Sequence, residues 1–227
     1  MTETINAFIP LKGHSARVPG KNLRDFNGRP LFHAIVETLQ IADRVGTIYI
    51  DTDSADIAHS AAALDDVIVI DRRLDLVGDE VSVNRLIGAF LDIHDDADLM
   101  QTHATNPLLR AATIDTAIDV YTDDSSISSL FAVTRYQARF YDGNLAAINH
   151  DPAELIATQN LDPLFMENSN LYIFSRDGFL EHDRRITDAT RMFEIDPFEA
   201  IDIDEEADFS FAAAIHRARA TSPHDGA

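Results

Sequence analysis

Of the 18 basic residues in this chain only two are lysines, Lys12 and Lys21. Both fall in one short stretch, residues 9–24, which reads IPLKGHSARVPGKNLR. The stretch also holds Gly13, Ser15, Arg17 and Gly20. Glycine lets backbone N–H groups crowd around an anion, and an ammonium group neutralises it as a compact point charge. In a chain with 39 acidic residues and a formal charge of −21, this concentration of positive charge predicts a triphosphate-binding loop. The plainer reading is a basic surface loop, and for Arg24 and Arg29 solvated charge is the better account. The loop lacks both the Gly-Lys-Ser/Thr ending of a Walker loop and the Gly-x-Gly-x-x-Gly of a dinucleotide fold.

A second constellation is the run 201–204, Ile-Asp-Ile-Asp. On a strand, residues two apart share a face, so Asp202 and Asp204 aim together while Ile201 and Ile203 pack inward. Two hard carboxylates beside a phosphate-binding loop suit Mg²⁺, which binds oxygen and shares its shell with substrate phosphates. Asp204, followed by Glu205 and Glu206, could equally cap a final helix. Asp51 and Asp53 have the same spacing and compete as the metal pair. A third segment, 102–110, is a polar strand exit carrying Thr102, His103, Thr105, Asn106 and Arg110. It offers donors to a hydroxylated ligand, although a lone histidine is more often structural. A fourth, Met166 to Tyr172, sets amides and a hydroxyl beside an entering strand and could be turn chemistry alone.

These groups need a scaffold, and the first 135 residues supply its rhythm. Apolar runs at 5–9, 47–51, 67–70, 98–102 and 127–133 alternate with helical patterns. Helices are expected from Pro30, over 55–63 with Ser54 as N-cap, over 81–93, and over 112–121. Pro10 is expected to end the first strand. Such alternation implies right-handed βαβ units and a mainly parallel, Rossmann-like α/β sheet. Ligands on such sheets bind beyond the carboxyl ends of strands, so the basic loop, 51–53 and 102–107 should line one rim. Beyond residue 135 a hairpin is expected at 139–148, turning at Asp142-Gly-Asn144, and 149–167 reads as a flap or exchange arm. Segments 171–174 and 199–203 should rejoin the sheet, a helix should close 205–220, and 221–227 should be a disordered tail. The whole of 1–220 reads as one domain.

Composition narrows the function. The excess of acid opposes nucleic acid or an anionic membrane as partner. No apolar run approaches the roughly 18–20 residues that cross a bilayer, and the amino terminus does not read as a secretory signal. The absence of cysteine removes disulfides and thiolate chemistry. A cytoplasmic location is expected.

Taken together, the segments resemble the CMP-sugar synthetases, the N-acylneuraminate cytidylyltransferase family. The family signature is met by Ser15, Pro19, Lys21, Asn22 and Leu23 at matching spacing. The similarity continues, in order, through 51–53, 72–76, 104–108 and 168–172, and it closes on the identical Ile-Asp-Ile-Asp at 201–204. It implies a nucleotide-diphospho-sugar transferase type of fold, usually a homodimer, joining CTP to a 2-keto-sugar acid with Mg²⁺. By position Lys12, Ser15 and Lys21 would hold phosphates, with Leu11, Gly13 and Arg17 completing the nucleotide loop. Asn22, Arg72 and Ser82 would serve the cytosine and ribose. Lys21, Asp202 and Asp204 would be catalytic, the two aspartates holding Mg²⁺. His103, Gln159, Asn168 and Tyr172 would contact the sugar acid, with Asn106 and Arg110 beside them. The family's lysine after the serine is Ala16 here, its glutamine is His103, and Leu109 displaces an arginine to Arg110. These departures bear on the identity of the sugar more than on CTP chemistry. Three rivals stay open: a 3-deoxy-manno-octulosonate-type substrate, a glycosyltransferase using Asp51 and Asp53, and a non-catalytic nucleotide-binding relative.

Overall fold

Side-chain alternation along the strands explains the layers. In strand β1 (Ile5–Leu11), Ala7, Ile9 and Leu11 enter one buried cluster while Phe8 enters another. Strand β2 (Val45–Thr52) divides in the same way, with Ile48 and Ile50 against Tyr49. A period of two sends successive residues to opposite faces, so each strand is covered on both sides. The computed structural model describes residues 4–221; of the expected tail at 221–227, Thr221 is the last residue of a helix and the rest lies outside the described residues. Among the described residues, no helix is long and apolar enough to cross a membrane.

The remaining strands are β3 (Val67–Asp71), β4 (Asp98–Thr102), β5 (Ser129–Tyr136), β6 (Leu164–Ser175) and β7 (Thr190–Glu194). They form one seven-stranded sheet in the order β3-β2-β1-β4-β6-β5-β7. β6 runs antiparallel to β4 and β5, and the other four pairings are parallel. Helices α1 (Leu31–Ile41) and α4 (Ala111–Thr122) bury Ile35, Leu39, Ile114 and Ile118 on one face. α3 (Val83–Leu91) and α5 (Arg176–His182) place Phe90 and Phe179 on the other. Ser54 caps α2 (Ala55–Ala61) by accepting from the Ile57 amide at 3.3 Å, as its position before an apolar stripe predicts. α6 (Glu206–Thr221) closes the described chain.

Three expectations are corrected. Pro10 does not end β1, which continues to Leu11 with Pro10 opposite Asp51. The ladder to β4 stops at Phe8, so a missing N–H at Pro10 interrupts nothing on that side. Segment 199–203 is not a strand. It runs past the sheet, where the Ile203 amide donates to the Thr105 carbonyl at 2.9 Å, and β7 occupies the place beside β5 instead. The expected hairpin at 139–148 is reduced to a turn closed by one bridge, Tyr141 to Ala147, with Asp142 accepting from the amides of Asn144 and Ala146. Tyr136 pairs with Leu164, so residues 137–163 form an insertion between β5 and β6.

A third cluster positions the site. Val18 and Phe26, from either side of the basic loop's last turn, pack with Ile203 and Phe209. This packing carries residues 15–24 onto the chain segment that lies 180 residues further on.

Candidate active site

The carboxyl ends of β1 and β4 and the turn after β3 open on a cleft of about 330 Å³. Leu11, Lys12, Ser15, Lys21 and Asn22 line it on the loop side, Arg72 at the base, and His103 and Thr105 at the far end. The loop is held by its own polar groups. The Gly13 amide donates to Asp53 at 2.7 Å, and the Asn22 amide donates to the Lys12 carbonyl at 2.9 Å. A β-carbon at position 13 would stand 2.8 Å from that of Ser54, so the loop can approach β2 this closely only with glycine there. Gly20, at φ 63°, opens the helical turn that presents Lys21.

The Lys21 ammonium donates to the Ile203 carbonyl at 2.5 Å. Burial lowers its pKa below the ordinary lysine value, while the nearby charges of Asp202 and Asp204 oppose that shift. Lys12 reaches Asp79 at 3.4 Å. Arg17, by contrast, is exposed and pairs with Asp204 at 2.5 Å.

The two Asp-x-Asp pairs have separate fates. The Arg72 guanidinium, 4% exposed, donates to the Asp51 carboxylate at 2.5 Å, to the Asp51 carbonyl at 3.0 Å and to the Leu11 carbonyl at 3.2 Å. It also lies 3.7 Å from Asp53. Burial raises the Asp51 pKa, and the Arg72 charge pulls it back. Asp51 and Asp53 are therefore tied to Arg72 and the loop backbone, and each already faces a cation or an amide.

Asp202 is different. Its Oδ1 is buried with no hydrogen-bond partner. Burial raises its pKa, Thr105 hydrogen bonding lowers it, and Asp204 raises it again. Helix capping does not account for the pair. The amides of Asp204 and Glu205 are held at 3.1 and 2.8 Å by Asp208, which reaches back from the first turn of α6. That leaves the Asp204 side chain on Arg17.

At the far end, polar groups from β4, β6 and the α5–β7 connection meet. Arg185 donates to Gln101 Oε1, and its guanidinium carbon stands 3.8 Å over the Tyr172 ring. A guanidinium can only donate, so Gln101 must turn its oxygen to Arg185 and its NH₂ to His103 Nε2, 2.9 Å away. His103 Nε2 is thus the acceptor and Nδ1 carries the hydrogen. Burial, with the charges of Arg185 and Lys21, pushes the His103 pKa down to about 4, so the ring is neutral at physiological pH. The Tyr172 hydroxyl donates to Glu167 and lies 3.4 Å from Ser169. Burial and then the Glu167 bond push its pKa up to about 12.

Other candidates lie outside this cluster. Ser82 caps α3 by accepting from the Arg85 amide, while its neighbours Val81 and Val83 line the cleft. Arg110 faces a separate groove formed with α1 and α6, where it stands 3.7 Å from Glu199. Gln159 sits on an exposed turn of the insertion. Asn168 is buried, donating to Thr134 and accepting from the Asn170 amide. Asn106 donates to the Ile201 carbonyl at 3.3 Å and so ties the β4 exit to the 201–204 segment. Sequence reasoning did not single out Gln101 or Arg185. The dipeptide Arg184-Arg185 looks like surface charge, and only the fold shows one of the two turning inward.

Comparison with known proteins bears on the family and the fold. The chain is 29% identical to CMP-N,N'-diacetyllegionaminic acid synthase of Legionella pneumophila over 220 residues, 91% of this chain and 93% of that one. It is 23% identical to pseudaminic acid cytidylyltransferase of Campylobacter jejuni, covering 92% and 94%. N-acylneuraminate cytidylyltransferase of Streptococcus agalactiae is 23% identical over 88% of this chain, which spans only 50% of that protein's length. Among solved structures, a CMP:2-keto-3-deoxy-manno-octonic acid synthetase complexed with CTP superposes with a TM-score of 0.70 at 15% identity, covering 96% and 99%. A 4-diphosphocytidyl-2C-methyl-D-erythritol synthase of Anaerococcus prevotii gives 0.64 at 12% identity, covering 95% and 97%. Those two likenesses establish the fold. A family model described as cytidylyltransferase matches residues 7–220, and the chain belongs to that family.

Proposed function

We propose that this protein joins CTP to a 2-keto-sugar acid of the nonulosonic type, giving a CMP-sugar and pyrophosphate. The observation that carries the reading is Lys21, which lines the cleft that also holds His103 and is bonded to the Ile203 carbonyl, between Asp202 and Asp204 from the other end of the chain. The sugar's anomeric hydroxyl forms a bond to the α-phosphorus of CTP, and the bond from that phosphorus to the bridging oxygen of pyrophosphate breaks. Nucleotidyl transfer of this kind depends on positioning and on neutralising developing charge. Lys21, held by the Ile203 carbonyl, and Lys12 would neutralise the leaving pyrophosphate. Neutral His103, with Nε2 engaged by Gln101, would offer Nδ1–H to a sugar hydroxyl.

Mg²⁺ fits the residues present. Asp202 holds a buried oxygen without a partner, and Asp204 stands two residues away with only an exposed ion pair to exchange. Among the described residues no group of three or more ligating side chains exists, so protein carboxylates would supply part of a shell that phosphates and water complete. When bound there the ion would polarise the α-phosphate. The insertion at 137–163 exposes Leu145, Ile148 and Leu155, and we read it as the arm of a homodimer.

The test is pyrophosphate release from CTP with a panel containing N-acetylneuraminic, N,N'-diacetyllegionaminic, pseudaminic and 3-deoxy-manno-octulosonic acids. Release with a nonulosonic acid, and with CTP above other nucleotides, is expected. Release only with the octulosonic acid would move the substrate class, and none with any acid would overturn the reading.

A further inference from the structure

Arg185 is a cation without an anion. Its Nη1 donates to Gln101, a neutral acceptor, and its face rests on the Tyr172 ring. Among the described residues no carboxylate lies within 4.0 Å of it, although the chain carries 39 acidic side chains. The neighbouring Arg184, exposed, pairs with Asp188 at 2.5 Å, so acid is at hand on this segment. Glu167 acts on Arg185 only at longer range, and its carboxylate is engaged by the Tyr172 hydroxyl. A partly buried cation left unpaired is costly, and the cost is relieved when an anion arrives.

The surroundings indicate which anion. His103, at the end of the cleft, feels the charges of both Lys21 and Arg185. Lys21 is fixed to the Ile203 carbonyl and Arg185 to Gln101 on β4, so the two cations belong to different parts of the rim. Lys21, beside Asp202 and Asp204, suits a phosphate. A guanidinium lying beside a histidine, a glutamine and a tyrosine suits a planar carboxylate on a hydroxylated body, because its fork donates two parallel hydrogen bonds.

We propose that Arg185 is the seat of the acceptor's carboxylate and sets the enzyme's requirement for an acid sugar. The inference rests on the cytidylyl-transfer reading and deepens it. The bond with Gln101 has a second effect: it fixes the hydrogen of His103 on Nδ1, so carboxylate seat and hydroxyl donor are set by one chain of contacts.

The experiment compares the best-converted sugar acid of the panel with its methyl ester in the wild type, R185Q and R185K. Wild type should prefer the acid strongly. R185Q should lower kcat/KM for the acid by roughly 10- to 100-fold, the usual worth of a hydrogen bond to a charged group. Its KM for CTP should be unchanged, and its preference for acid over ester should collapse. R185K, which keeps a point charge, should retain part of the preference, and it carries the test if R185Q does not fold. Equal losses on acid and ester would make Arg185 a brace for Gln101 and overturn the proposal. A weakened KM for CTP with the preference intact would assign its anion to the nucleotide and overturn it as well. Wild-type turnover without preference for the acid refutes the inference alone, whereas no turnover with any acid refutes both it and the reading beneath it.

Discussion

Replacing Asp202 by Asn should raise stability while removing turnover, a combination that a structural carboxylate would not give. Burial, aided by Asp204 and opposed by Thr105, holds the Asp202 pKa above the ordinary aspartate value. A carboxyl shifted this way binds its proton more tightly in the folded state than in the unfolded chain. Its contribution to stability is present below the ordinary aspartate pKa and is lost as pH rises through the raised value. At neutral pH the ionised group is a burden, and its Oδ1 lacks a partner. Such an unpaired buried oxygen costs about 1–3 kcal/mol. The lower end applies, since Asp202 keeps some exposure and its removal leaves Lys21 with one anion fewer. A gain of about 1 kcal/mol corresponds to a rise in Tm of roughly 2–4 °C for a domain of this size. Turnover should fall by roughly 10³-fold, or about 4 kcal/mol of transition-state stabilisation, if Asp202 holds the catalytic ion. Thermal melts at neutral and acid pH, with pyrophosphate release, measure both effects. The stability gain should vanish at acid pH, where wild-type Asp202 carries its own proton. A lower Tm at neutral pH, or turnover within a few-fold of wild type, refutes the reasoning.

Lys21→Ala should lower kcat/KM by roughly 10²–10³-fold with the fold intact, and normal turnover in a folded variant would remove its phosphate role. Arg72→Met should strip Asp51 of its buried partner and cost about 3–5 kcal/mol in urea unfolding, whereas adding Asp51→Leu should restore most of that loss. If the single change costs nothing, the pair is not the scaffold described. Because the His103 pKa is about 4, the kcat/KM profiles of wild type and His103→Gln should run parallel across neutral pH. The same change should reorder the sugar acids without altering the KM for CTP, and a step near the ordinary histidine pKa that disappears in the variant would contradict the buried neutral ring.

Much of the fold was readable because its strands are short β-branched runs and its helices announce their starts. Ser54 stands before an apolar stripe and caps α2 as such a residue does, whereas Ser82, read as a nucleotide contact, proves to cap α3. The elements missed gave weaker signals. β7 is five residues long and mostly exposed, so its place is set by backbone pairing with β5 rather than by an apolar pattern. α5 has seven residues with a glycine inside and draws its order from Phe179 in the second core. The 201–204 segment misled because alternation describes any extended chain, laddered or not. What holds it is the Ile203 amide on the Thr105 carbonyl, side-chain bonds from Asn106 and Lys21 to the Ile201 and Ile203 carbonyls, and the packing of Ile203.

The site shows why spacing alone could not choose between two candidate pairs. Asp51 and Asp53 have the same pattern as Asp202 and Asp204 and stand at the end of a real strand, on the rim. The difference is made by a residue from elsewhere: Arg72, at the exit of β3, buries itself between the first pair and the loop backbone. A carboxylate so engaged would have to break a buried ion pair before accepting another cation, and breaking such a pair is costly. Asp202 has no such partner, and the one cation on Asp204 is exposed and exchangeable. Arg185 follows the same logic with the sign reversed, being a cation whose nearest groups are neutral. In both cases the proposed ligand position is the place where the fold leaves a charged group incompletely matched, and that mismatch appears only once tertiary contacts are formed.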